Sequence, residues 1–326
     1  QACRGMGELL ELENPQQALD WFQRGLAELA DADQLEYAAI NIGKGNVQMY
    51  LGDHNSALRS LEVGLQSLPD GPNQLRSGAL KSLSAVYLNL GNIQAAEQYA
   101  RAAVAANKDL NAYFEEASML VNLGSIHYIA GKWQDAIADY ERALKMSRDL
   151  NNIEIQMAAD LNLGITYIRT GDYINAFKSL KGTLFLARKQ RLHVFEAFAQ
   201  FSLADLEIRS NQLDEAARSL REAEDLASNL GHKSLLTAIY SAWAEINTAT
   251  GQLQAAAAAA ERSVQLARET GETVDEGIGL RVLGEVLQAG DRPEDALSVF
   301  GQSLALLDKN DPYEAARTQV RMGLAL

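Results

Sequence analysis

The residues of this chain best suited to metal ligation or nucleophilic catalysis are four histidines and one cysteine. His54, His127, His193 and His232 do not stand at metal-ligand spacing from one another, and Cys3 stands alone. Zinc ligation and Cys–His catalysis both need such groups to converge, so neither is expected. Paired acids are the next candidates. Glu115–Glu116 and Asp214–Glu215 fall where helices are expected to begin, and negative charge there complements the helix dipole; a solvated face is the expected role. The sequence contains no GxxxxGK[ST], GxSxG or HExxH pattern. Its glycines are spread along the chain and do not gather into a phosphate-cradling loop. The expectation is a protein without catalytic residues, metal or cofactor.

The elements that would position a binding site are legible from periodicity. Ala18, Ala57, Ala96, Ala136, Ala176, Ala216, Ala256 and Ala296 recur at steps of 39 or 40 residues, each just after a short turn. A second register of mostly small residues precedes the turns: Gly45, Ser84, Gly124, Gly164, Ala204, Ala244 and Gly284, with Met6 breaking it in the first repeat. Helices approach to about 8 Å only where contact residues lack bulk, so each small residue on a first helix is expected to meet the alanine on the second. Gly52, Gly91, Gly131, Gly171 and Gly251 suit the left-handed residue that ends a helix, and Asn211 replaces glycine in the sixth repeat. Asp53, Asn92 and Asp172 suit caps of the following helix, and Pro15 and Pro293 suit its first turn. Apolar spacing of three and four, as in Leu120, Leu123 and Ile126, is helical, and alternation of period two is nowhere sustained. Each repeat therefore reads as helix, tight turn, helix, looser turn, with turns near 13, 52, 91, 131, 171, 211, 251 and 291. His127 occupies the slot filled by Tyr87 and Tyr167 in neighbouring repeats and is expected to be packed within a helix pair.

Composition agrees with an all-α chain. Of its 326 residues 47% are hydrophobic and 22% charged, and no proline lies between Pro72 and Pro293. A net charge of −14 without any run of Lys and Arg argues against nucleic acid and anionic membranes as partners. A single cysteine fits a reducing compartment, and neither a signal peptide nor a transmembrane run is visible, so a cytoplasmic location is expected. Residue 1 is Gln, and both ends read as half-finished helices, as in a piece of a larger protein.

The strings NLGSIHYIAGKWQDAIADYERAL, from Asn122 to Leu144, and NLGITYIRTGDYINAFKSL, from Asn162 to Leu180, resemble tetratricopeptide repeats. The resemblance covers nearly the whole chain. Two features depart from the family: the repeat is about 40 residues long, and its closing proline is missing. This elongated form is similar to the repeats of adaptors rich in Leu-Gly-Asn motifs and to the sensor domains of bacterial signal-transduction ATPases, some of which activate transcription. It implies a right-handed α-solenoid of about eight helix pairs plus a partial terminal helix, forming one domain over 1–326. It also implies that the first helix of each pair lines a concave groove. Helical spacing then selects Asn46, Tyr50, Lys81, Asn89, Asn122, Ser125, Tyr128, Asn162, Arg169, Phe201, Arg209 and Arg281 as groove residues that hold a protein or peptide partner. The same spacing also selects Phe198, Asp205, Glu245 and Glu285. Asn122 and Asn162 stand out because an amide both donates to and accepts from an extended backbone. Arg169 is expected to serve binding and to be dispensable for folding. Lys81 matches the carboxylate clamp of chaperone-tail binders, but Ala85 stands where that clamp has Asn. The expected role is the sensor or regulatory module of a larger signalling or transcription-regulating protein. The alternatives are a stand-alone adaptor and an accessory domain tethered to a protease or nucleotide-processing enzyme.

Overall fold

A computed structural model describes residues 1–29, 33–309 and 311–325 of the chain. Among the described residues there are seventeen α-helices and no strand. Contacts divide the chain into two compact units, Gln1–Gln156 and Met157–Leu326. The first holds α1 (Ala2–Leu10), α2 (Pro15–Glu28), α3 (Gln34–Tyr50), α4 (His54–Gln66), α5 (Gln74–Asn89), α6 (Ile93–Asp109), α7 (Tyr113–Ile129) and α8 (Trp133–Asp149). The second holds most of α9 (Ile153–Thr170), then α10 (Tyr173–Gln190), α11 (His193–Arg209), α12 (Leu213–Leu230), α13 (Lys233–Ala249), α14 (Leu253–Thr270), α15 (Thr273–Ala289), α16 (Pro293–Leu307) and α17 (Pro312–Ala325).

The turns behave as their residue types demand. Gly52, Gly91, Gly131, Gly171 and Gly251 all have positive φ, and Asn211 adopts the same backbone at φ 57°. Asp53, Asn92 and Asp172 accept from backbone amides of the first turns of α4, α6 and α10. The connections from second to first helices, expected to be looser, are mostly just as tight. Asn111, Asn151, Arg191, Gly231 and Gly271 supply a positive φ there, and the next helix starts two residues later. Asn accepts the left-handed conformation more readily than most side chains, which is why this second turn series carries no uniform glycine signal.

Within each unit, sequence neighbours pack as helix pairs, and alternate helices also touch: α3 with α5 in the first unit, α11 with α13 and α13 with α15 in the second. Ala18, Ala57, Ala96, Ala136, Ala176, Ala216, Ala256 and Ala296 are all fully buried. The small residues of the first helices do more than meet these alanines. A Cβ added at Gly124 would lie 2.6 Å from the Tyr140 ring, one at Gly45 2.6 Å from Leu61, and one at Gly164 2.6 Å from Leu180. Each of these large side chains sits one turn beyond the recurring alanine, so the glycine makes room for bulk as well as for backbone. Ser84 uses the same proximity differently, donating its hydroxyl to the Ala96 carbonyl at 2.9 Å. In the first repeat it is Gly7, next to Met6, that faces Phe22.

Candidate functional site

In the second unit the last turn of α9 and the first turn of α17 meet, although they are 145 residues apart in sequence. Arg169 Nη1 donates to Glu314 Oε1 at 3.1 Å, and its guanidinium lies 4.5 Å above the Tyr313 ring. Glu314 is 2% exposed and also accepts from Arg317 at 3.0 Å, with Arg281 Nε 3.5 Å from its other oxygen. Burial opposes the charge on Glu314, but Arg317, Arg281 and Arg169 outweigh it and hold the carboxyl below its ordinary range. Arg281 is itself 2% exposed; it donates to Glu285 and lies 3.8 Å from Glu245. Arg321 completes the cluster at 3.2 Å from Glu285. Burial pushes the Glu245 carboxyl up, with Glu285 adding to the effect and Arg281 opposing it.

Beside this cluster opens a cleft of about 460 Å³ between α13, α15 and α17. Glu245, Glu285, Arg317 and Arg321 supply charge of both signs, Thr248 and Gln288 neutral polar groups, and Val282 and Leu324 apolar wall. The arrangement suits a ligand that combines charged or hydrogen-bonding groups with some apolar surface. Of the residues expected to line a groove, Glu245 and Glu285 border this cleft, whereas Arg281 is buried behind it among carboxylates; Glu314, Arg317 and Arg321 carried no signal in the sequence, because their helix lies where the repeat pattern fades. Phe201 and Phe198 pack against the core cluster of α11 to α13, and Phe198 meets His232 edge-on. Arg209 pairs with Asp205 one turn earlier on α11. Asn162 is half-buried, and its carbonyl accepts from Thr166.

In the first unit the selected residues also lie on first helices. Asn46 accepts from Ser82 at 2.7 Å, tying α3 to α5. Tyr50 is 61% exposed at the end of α3, and Asn89 is exposed at the end of α5. Asn122 is exposed, with Nδ2 3.6 Å from Met119 Sδ. Ser125 accepts from the Tyr140 hydroxyl and donates to the Val121 carbonyl, and Tyr128 is half-buried. Lys81 borders a cleft of about 340 Å³ with Asn107, Phe114, Glu115 and Met119. Asn122 and Asn162 belong to different units.

One acidic residue differs from its sequence reading, and one histidine has neighbours the sequence did not announce. Glu116 is buried and pairs with Arg142 of α8, so it is no part of a solvated face. His127 is packed as expected, but between charges: Nδ1 lies 2.7 Å from Asp139 and Nε2 3.2 Å from Glu97. Lys132 donates to Glu97 at 2.6 Å and is the chief reason its pKa falls to about 2; Arg101 and His127 add to this against burial. Neither pairing follows from a repeat register, since each depends on side chains unique to one pair. Among the described residues, no group of three His, Cys, Asp or Glu is placed to hold a metal ion, and no helix is long and apolar enough to cross a membrane.

Comparison with known proteins agrees with this architecture. The family model described as MalT-like TPR region matches residues 76–291. Among curated proteins there is no match. Among solved structures, a Rap protein complexed with Competence and Sporulation Factor aligns with a TM-score of 0.68 at 15% identity, over 99% of this chain and 96% of that one. Aspartyl phosphate phosphatase F from Bacillus subtilis aligns with a TM-score of 0.73 at 13% identity, over 89% of this chain and 75% of that one. A tetratricopeptide repeat protein from Parabacteroides merdae gives 0.64 at 20% identity, over 89% and 99%. At these identities the likeness is one of fold.

Proposed function

The chain belongs to the MalT-like TPR region family, and on that premise we propose that it is a non-catalytic scaffold whose first helices bind a protein or peptide. In this reading it is the sensor or regulatory module of a larger cytoplasmic signalling or transcription-regulating protein, and nucleic acid and membranes are not its partners. The observation that carries the reading is the cleft of α13, α15 and α17, where Glu245, Glu285, Arg317 and Arg321 stand beside the apolar Val282 and Leu324. Such a mixture of charges gives orientation and selectivity to a peptide, while the apolar wall supplies affinity. That a fold neighbour is complexed with Competence and Sporulation Factor supports binding as a use of this architecture.

The test is selection of a displayed library of short random peptides on the parent and on an Arg321→Glu variant. The Arg321 side chain is 48% exposed at the edge of the cluster, and circular dichroism checks that the variant folds. The reading expects a peptide consensus enriched on the parent and lost on the variant. Equal enrichment on both would remove the cleft from the binding function.

A further inference from the structure

The outward face of α10 is unlike that of every other second helix. In the 40-residue register, Ile174 corresponds to Gln134, Asp214, Gln254 and Glu294, and Phe185 to Lys145, Asp225, Gln265 and Ala305. All of these positions are exposed, and only α10 places large apolar side chains at both. Ile174 is 83% exposed, Phe185 66% and Phe177 49%. They share a face, since 174, 177, 181 and 185 follow helical spacing. Lys181 lies on it with Nζ 5.4 Å from the centre of the Phe177 ring. Gly182 sits among them with open space where a Cβ would stand, whereas its equivalents are Glu222, Arg262 and Gln302. At this point the face carries no side chain between Lys178 and Phe185.

The charge of this helix is equally out of place. Residues 173–191 contain Lys178, Lys181, Arg188, Lys189 and Arg191 and no Asp or Glu, in a chain of net charge −14. Arg188 is committed to Glu196 and Glu222, but Lys178, Lys181 and Lys189 are exposed around the apolar stripe. We infer that the Ile174–Phe177–Phe185 stripe of α10, framed by Lys178, Lys181 and Lys189, is a docking surface for an acidic amphipathic helix of a partner protein. Charge selects the occupant. At physiological salt, fields decay over about 8 Å, so a helix seated on α10 meets the lysines before the rest of the chain. A bilayer presents a broad plane instead and would also meet the neighbouring α12, which displays Glu215, Glu222 and Asp225 and is joined to α10 by the Arg188–Glu222 pair. Exposed aromatic side chains such as Phe177 and Phe185 are the kind of anchor that dominates protein interfaces.

The experiment measures fluorescence anisotropy of a labelled amphipathic peptide built from Leu and Glu, titrated with the whole chain. Two double variants accompany the parent: Lys178→Glu/Lys181→Glu and Ile174→Ser/Phe185→Ser, all at exposed positions, with melting checked by circular dichroism. The expected result is saturable binding that each double variant weakens about tenfold or more, that salt weakens, and that Arg321→Glu leaves unchanged. Equal binding by parent and both variants would overturn the proposal. So would cosedimentation with phosphatidylserine vesicles in the absence of peptide binding, or self-association in sedimentation velocity that the same variants abolish.

Discussion

At Glu314 a carboxylate has left water for the company of three guanidiniums, and the cost of its burial is offset only while they remain. Truncating one member leaves the others buried and unbalanced. Glu314→Gln should therefore destabilise the second unit by about 3–5 kcal/mol, since Arg281 would lose a principal counter-charge. Arg169→Ala should cost about 1.5–3 kcal/mol, because its guanidinium is partly exposed and water replaces some of what it loses. This reverses the expectation that Arg169 is dispensable for folding. Urea unfolding of each variant checks it: an unchanged midpoint for Arg169→Ala would mean that the bridge to α17 contributes nothing. A second residue pair sets a pH dependence. Burial, helped by the hydrogen bond and charge of Glu272, pushes the Asp275 carboxyl from 3.8 up to about 7. Between those values the folded chain holds a proton that the unfolded chain has released. This contribution to stability is complete at low pH and is lost as pH rises through about 7. Asp275→Asn keeps the neutral form throughout. Its urea midpoint should fall less than the parent's between about pH 5 and about pH 7.5, and parallel curves would contradict the raised carboxyl.

At the scale of the helix pair, stability rests on the absence of side-chain atoms where a neighbour's bulk must sit. Gly124→Ala puts a Cβ 2.6 Å from the Tyr140 ring, which is itself pinned by its hydroxyl to Ser125. The ring cannot retreat without breaking that bond, so the variant should lose about 1–3 kcal/mol. Ala136→Leu, on the facing helix at a fully buried position, should lose a similar amount or more. Gly182→Ala, where the added methyl meets nothing, is the control and should raise stability slightly by improving helix propensity. Thermal melts of the three decide the matter, and a Gly124→Ala variant melting like the parent would show the interface to be slack. The alanine and glycine registers were legible because local geometry forces them to recur in every repeat. The partner of each glycine was less so. Tyr140, Leu180, Leu61 and Phe300 share a position but not a side-chain type, and only packing shows that they fill the same gap. Glu116 was misread for a related reason: its place at a helix start is a local fact, whereas its burial depends on Arg142 from the next helix.

For the molecule as a whole, the repeat pattern reveals what touches its neighbour and is silent about what meets across many repeats. The Arg169–Glu314 pair is of the second kind, and no periodicity in the sequence could have announced it. Helical spacing selects groove candidates without showing what else they touch, and Asn46 and Arg281 are engaged by other residues of the chain. This division has a measurable consequence. In a stack of repeats, stability is approximately the sum of repeat and nearest-neighbour contributions, so damage stays local unless a long-range contact carries it. Gly124→Ala should speed hydrogen exchange in α7 and α8, within Gln1–Gln156, and leave α13 to α16 near parental protection. Glu314→Gln should behave otherwise. Removing it releases Arg169 on α9 and Arg281 on α15 together, so exchange should rise at both helices, separated as they are in sequence, as well as in α17. If exchange rose only in α17, the ion cluster would be an ornament of the last helix. A joint rise at α9 and α15 would identify it as the contact that couples α9, α15 and α17 across the repeats between them.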